Sequence, residues 1–171
     1  ELVAREIHAL SARRNGPFVP VNCAAIVETL LEAELFGIED RTATGVRGRR
    51  GKFEMANHGT LFLDEVGDLA PTAQAKLLRI LQDMCVERVG GHTARHLDAR
   101  VLAATNRSLR SLVDAGRFRS DLYYRLAGVE VHVPPLRARR EDVGALIQLC
   151  AAGLLGGHVG HRAQHRARLR Q

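Results

Sequence analysis

The sequence predicts an α/β fold built on a parallel sheet with helices on both faces. Short apolar runs recur at 18–22, 60–65, 101–105 and 129–133, and stretches of helical periodicity separate them. Four short apolar strands that alternate with helices indicate a parallel sheet covered on both faces. In such sheets, ligands gather at the carboxyl ends of the strands, and Asn22, Asp64, Glu65 and Asn106 all fall at those ends.

Taken in order, residues 1–12 place Leu2, Val3, Ile7 and Leu10 at helical spacing. Asn15-Gly16-Pro17 breaks that helix, and Phe18-Val19-Pro20-Val21-Asn22 reads as a short buried strand. A second helix covers about 27–36, with Leu30, Leu31 and Leu35 inward and Gly37 as its C-cap. Residues 38–51 are polar, basic and glycine-rich, so they read as a solvated loop. Thr60-Leu61-Phe62-Leu63 is a strand ending in Asp64-Glu65. Pro71 suits the first position of a helix carrying Leu77, Leu78, Ile80, Leu81 and Met84. Val101–Thr105 is a third strand ending at Asn106, followed by helices near 109–115 and 119–126. Val129–Val133 reads as a fourth strand stopped by Pro134-Pro135, and a last helix starts near Glu141.

The 171 residues suffice for one domain with a sizeable core, and 46% apolar with 26% charged residues argues against disorder. No apolar run approaches the roughly 20 residues that cross a bilayer, and Glu1-Leu2-Val3-Ala4-Arg5-Glu6 has no signal-peptide pattern. A cytoplasmic protein without membrane contact is expected. Cys23, Cys85 and Cys150 are odd in number and widely spaced, which indicates reduced, mostly buried thiols rather than a zinc knuckle or disulfide framework. The net charge of +6 concentrates at Arg47, Arg49, Arg50 and Lys52 and near the end of the chain.

A hydrophobic strand that delivers Asp-Glu at its tip is the Walker B arrangement. One carboxylate anchors Mg²⁺ through water, because Mg²⁺ keeps most of its hydration shell. The second orients or deprotonates the water that attacks a γ-phosphate. Taken alone, two acids after a strand are also what a strand running into an acidic turn would show.

The surrounding blocks narrow the reading. Phe53-Glu54-Met55-Ala56-Asn57-His58-Gly59-Thr60-Leu61-Phe62-Leu63-Asp64-Glu65-Val66 resembles the Walker B signature of the AAA+ (sigma-54 interaction) domain of bacterial sigma-54-dependent transcription activators. Val21–Ala25, Glu34–Gly37, Ala75–Gln82, Glu87–Gly91, Ala103–Arg107, Phe118–Leu126 and Pro134–Arg137 match in the same order, so the resemblance covers residues 1 to about 149. It implies a P-loop NTPase-like three-layer fold, ATP and Mg²⁺ as cofactors, and a homo-oligomeric ring of the hexameric type. Carried over by position, Asp64 corresponds to the Mg²⁺-anchoring acid and Glu65 to the general base. Asn22 corresponds to the Asn that restrains that base until the γ-phosphate is sensed, and Asn106 to the sensor I residue. Arg119 and Arg125 correspond to the pair that reaches a neighbouring subunit's site. The function implied is ATP hydrolysis coupled to remodelling of sigma-54 RNA polymerase holoenzyme, with DNA contacted through other domains.

Three departures qualify that expectation. The family's Gly-rich phosphate loop, and the central strand that feeds it, fall directly before the position of Glu1, so residues 1–171 do not contain them. The strand would lie between 101–105 and 129–133; without it, two sheet edges are unpaired and the chain alone is expected to be unstable and inactive. The polymerase-contacting loop, Gly-Ala-Phe-Thr-Gly-Ala in the family, is Arg41-Thr42-Ala43-Thr44-Gly45-Val46 here. Replacing the Phe ring by the Ala43 methyl removes about 2–3 kcal/mol of potential burial. Beyond about 150 the match ends, and residues 151–171 read as a divergent, disordered basic tail. His158, His161 and His165 could share a helix face there, but the flanking glycines oppose a stable helix. The alternative reading is a catalytically dead remnant acting as an interaction module. A basic nucleic-acid binder lacks support, with aromatics at only 4% and no stacking platform.

Overall fold

A computed structural model of the chain describes residues 1–24, 28–40 and 48–155. The 41–46 segment and the basic tail with its three histidines, 156–171, lie outside the described residues. The chain divides into two compact units, Glu1–Val129 and Glu130–Gln171.

In the first unit, three parallel strands form the main sheet: β1 (Phe18–Asn22), β4 (Thr60–Asp64) and β7 (Arg100–Ala103), in the order β1-β4-β7. Two short antiparallel hairpins accompany it, β2 (Gly37–Ile38) with β3 (Arg49–Arg50), and β5 (Cys85–Val86) with β6 (Arg95–His96). The helices are α1 (Leu2–Ala9), α2 (Glu28–Phe36), α3 (Lys52–Met55), α4 (Pro71–Asp83), α5 (Leu109–Asp114) and α6 (Ser120–Leu126).

Central β4 explains the layering. Thr60, Leu61, Phe62 and Leu63 are all buried, and successive residues of a strand point to opposite faces, so both faces of this strand are covered. On one face, Thr60 Oγ1 meets His8 Nδ1 of α1 at 2.9 Å. Phe18 stacks on Phe62 there, and the Arg5 guanidinium sits 4.7 Å from the Phe18 ring centroid. The other face carries the larger core. Val19, Val21, Leu61 and Leu63 join Leu31, Leu35 and Phe36 of α2, Phe53 of α3, and Leu77, Leu78 and Leu81 of α4.

Local chemistry sets the element ends. Gly37, at φ +85°, ends α2 and turns directly into the first hairpin, as a glycine C-cap should. Pro71 occupies the first turn of α4, where its missing N–H is not needed. Met84 closes α4 in the left-handed region and donates its N–H to the Ile80 carbonyl at 2.7 Å.

The expected fourth strand does not form. Residues 129–133 adopt no strand, and Val129, Val131 and Val133 are 87%, 63% and 44% exposed. A strand persists only with a neighbour to pair with, and among the described residues no strand pairs with the outer edge of β7. The residues expected as strand 101–105 pair over Arg100–Ala103 only. In the second unit, a 3₁₀ turn (Leu136–Ala138) precedes α7 (Asp142–Leu155).

Candidate functional site

Parallel pairing brings the expected site residues to one end of the sheet. Asn22 and Asp64 are register partners at the tips of β1 and β4. The Cys23 N–H donates to the Asp64 carbonyl at 2.9 Å, extending the ladder one residue past β1. On the other side, Ala104 N–H donates to Leu63 O at 2.8 Å and Val66 N–H to Ala104 O at 3.0 Å, so the chain that leads to Asn106 follows the acidic pair around its turn.

That turn is strained. Glu65 sits at φ 54°, ψ 45°, a left-handed conformation uncommon for a residue with a long side chain. A 3₁₀ turn over Val66–Asp68 follows at once, with Asp68 N–H donating to Glu65 O at 3.0 Å. Gly67 packs tightly here: a Cβ at this position would come within 2.9 Å of Thr105 Oγ1, which would have to shift.

Asn106 holds both oxygens of the Glu65 carboxylate. Asn106 donates its side-chain amide to Oε1 at 3.1 Å and its backbone N–H to Oε2 at 3.3 Å. Asp64 Oδ1 accepts the Glu65 N–H at 3.1 Å, and Asn22 Oδ1 accepts the Ala24 N–H at 2.9 Å. Neither Asp64 nor Glu65 forms an ion pair among the described residues, whereas Asp68 is paired with Arg107 at 2.7 Å. The Cys23 thiol records the resulting field. Burial first, then the charges of Asp64, Asp68 and Glu65, pushes its pKa up to about 12.

Uncompensated carboxylates at a strand tip suit a hydrated divalent cation, which is held through one or two acids and water. Among the described residues there is no cluster of three or more His, Cys, Asp or Glu side chains that could enclose a metal directly.

Arg119 and Arg125 belong to a separate element. Arg119 is the N-cap of α6, and its half-exposed guanidinium bonds both oxygens of Asp121, at 3.0 and 2.7 Å. This pairing holds the Asp121 carboxyl below the usual range. Arg125 points back to α4 and donates to the Leu81 carbonyl from Nε at 3.0 Å and Nη2 at 2.6 Å. Neither arginine touches the acidic pair of its own chain.

Several contributors escaped the sequence reading. Gln74, on α4, is 1% exposed and bonds three backbone groups at once. A single Gln within an apolar helical stripe was the available signal. The second is an ion-pair network. Arg88 grips both oxygens of Glu54 at 2.7 and 2.9 Å, and Arg95 reaches Glu39 at 3.3 Å. Glu39 follows β2 at the foot of the 41–46 segment, and its N–H donates to Val89 O at 3.1 Å. Asp40 Oδ1 accepts the Gly48 N–H at 2.6 Å, which closes the same foot.

A parallel sheet with two acids at the tip of its central strand, and an amide from the adjacent strand on the second acid, defines an AAA+-type domain of the P-loop NTPase class. The Sigma-54 interaction domain family matches residues 1–132, and the chain belongs to it. The Nif-specific regulatory protein of Herbaspirillum seropedicae is 55% identical over 149 residues, covering 86% of this chain and 28% of that protein. Regulatory protein AtoC of Escherichia coli is 54% identical over 147 residues, 85% of this chain and 32% of its own length. The crystal structure of NtrX from Brucella abortus in complex with ATP superposes with a TM-score of 0.79 at 44% identity, over 90% of this chain and 33% of that one. The chain thus spans about a third or less of these relatives.

Proposed function

We propose that residues 1–149 act within an ATP-dependent transcription regulator of the sigma-54 activator type, coupling ATP hydrolysis to remodelling of RNA polymerase holoenzyme. The observation that carries the reading is Glu65, strained at the end of a buried strand, with both carboxylate oxygens held by Asn106.

In this mechanism Glu65 accepts a proton from the water that attacks the γ-phosphate, and its fixed carboxylate orients that water beforehand. Asp64 would hold Mg²⁺, which when bound would supply positive charge to offset that of the phosphate oxygens. Asn106 is the sensor: when a γ-phosphate competes for its amide, its grip on Glu65 loosens. Asn22, the register partner of Asp64, takes the place of the Asn that restrains the base in the family it resembles. Arg119 and Arg125 leave their present partners and enter a neighbouring subunit's site, where guanidinium charge stabilises the transition state. That role requires a ring. The segment Arg41–Val46 contacts the polymerase, and the ion pairs at its foot transmit the change. The work is done in the cytoplasm, and no helix among the described residues is long and apolar enough to cross a membrane.

The test is ATP turnover, measured in the complete reading frame that carries residues 1–171. It is measured in parallel in a chimaera in which the matched 149 residues replace their counterpart in the Herbaspirillum seropedicae regulator. Glu65→Gln should lower turnover about a hundredfold or more while leaving ATP binding intact. A Glu65→Gln chimaera with wild-type turnover would overturn the reading.

A further inference from the structure

Gln74 lies one turn into α4, and its carboxamide is almost fully committed. Nε2 donates to the Leu69 carbonyl at 2.8 Å and to the Arg117 carbonyl at 3.1 Å, while Oε1 accepts the Arg119 N–H at 2.9 Å. Leu69 ends the tight turn that begins at Glu65, and its own N–H donates to Val66 O. One buried side chain thus joins the end of the acidic turn to the backbone of Arg119, across 45 residues of sequence.

The three bonds differ in what they need. Two require an amide donor and the third requires an acceptor, so only an amide side chain of this reach satisfies all three. A hydrophobic residue of equal volume would fill the space and strand two carbonyls and one N–H in the interior. The arrangement also treats the two halves of Arg119 differently. Its backbone is pinned to α4, while its guanidinium rests on solvent-exposed Asp121 and can swing away.

We infer that Gln74 is a positioning residue for Arg119, fixing where that arginine is presented to a neighbouring subunit and linking it to the acidic turn of its own. The inference deepens the proposed function and rests on its reading of Arg119. Movement of the Glu65 turn alters the Leu69 carbonyl, and through one carboxamide it alters the backbone that aims Arg119. The state of one site then sets the quality of the next.

Arg119 acts on another subunit's nucleotide, so loss of Gln74 should impair turnover without weakening nucleotide binding. In the complete reading frame and in the chimaera, Gln74→Met and Gln74→Glu should lower kcat about ten- to a hundredfold, as a misplacement near 1 Å does, with KM for ATP within about twofold. Gln74→Met keeps volume and helix propensity; Gln74→Glu keeps the acceptor for Arg119 and loses both donors. Rings of Gln74→Met mixed with rings of Glu65→Gln should regain turnover that neither has alone, because each supplies what the other lacks across the interface. Arg119→Ala mixed with Glu65→Gln is the control. If the control recovers turnover and the Gln74 mixtures do not, or if assembled Gln74→Met and Gln74→Glu rings keep wild-type kcat, the positioning role is overturned. If Arg119→Ala alone leaves turnover unchanged, the underlying reading of Arg119 fails instead.

Discussion

Asn106 holds Glu65 by both oxygens, one bond from its side-chain amide at 3.1 Å and one from its own backbone at 3.3 Å. The two bonds respond differently to mutation. Asn106→Ala deletes the first and keeps the second, so the carboxylate should be misaligned rather than released. Turnover of the chimaera should fall about tenfold to a hundredfold. Asn106→Asp should do worse, because it replaces the amide donor by a second negative charge beside Glu65. Wild-type turnover in both variants would show that residue 106 does not contact the base during turnover.

The Glu54–Arg88 pair sets an acid limit on stability. The Arg88 hydrogen bonds hold the Glu54 carboxyl below its ordinary 4.5. A carboxylate whose folded pKa is depressed contributes fully above its unfolded value and loses that contribution as pH falls through the lower folded value. Urea melts of the chimaera should therefore show stability declining below about pH 4.5. Glu54→Gln should cost about 1–3 kcal/mol at neutral pH and flatten the acid-side decline.

Thiol chemistry separates Cys23 from Cys85. The buried Cys23 thiol, with its pKa near 12, has almost no thiolate at neutral or mildly alkaline pH. Cys85 is only partly buried, and its Sγ lies 3.1 Å from His96 Nδ1. Iodoacetamide followed by peptide mass mapping should label Cys85 before Cys23, and Cys23 only on unfolding. Equal rates would mean that the sheet end is open to solvent.

The core between α2 and α3 rests on two rings. Phe36 and Phe53 are 1% and 0% exposed and stack with centroids 6.1 Å apart. Phe53→Ala should cost about 3–5 kcal/mol, through lost burial plus the cavity left behind. Thermal melts of the chimaera measure it; a loss below about 1 kcal/mol would mean that the neighbouring core collapses into the space.

The strand tips were readable because direction and apolar length fix them. In a parallel sheet, Asn22, Asp64 and Asn106 must share an end once β1, β4 and β7 are recognised. Residues 129–133 misled because a valine-rich alternation specifies a surface that can pair, without specifying that a partner is present. The two-residue strands of the β2–β3 and β5–β6 hairpins are too short to leave a pattern. The Arg88–Glu54 pair joins positions 34 residues apart, and Gln74 to Arg119 spans 45, so neither has a local signature. Gln74 stands in line with Leu77, Leu78 and Leu81 on the apolar face of α4, but nothing local says which backbone groups it bonds.

Helix α4 also acts as a gauge. Gln74 near its start pins the backbone of Arg119, and the Leu81 carbonyl near its end receives the Arg125 guanidinium. At about 1.5 Å per residue, the seven-residue interval from 74 to 81 sets a spacing of about 10 Å between those two anchor points. Inserting or deleting one residue in that interval would turn one anchor by about 100° relative to the other, and no rotamer change could restore both. Descendants of this chain can therefore vary the exposed side chains of α4 freely, but cannot change the number of residues between 74 and 81.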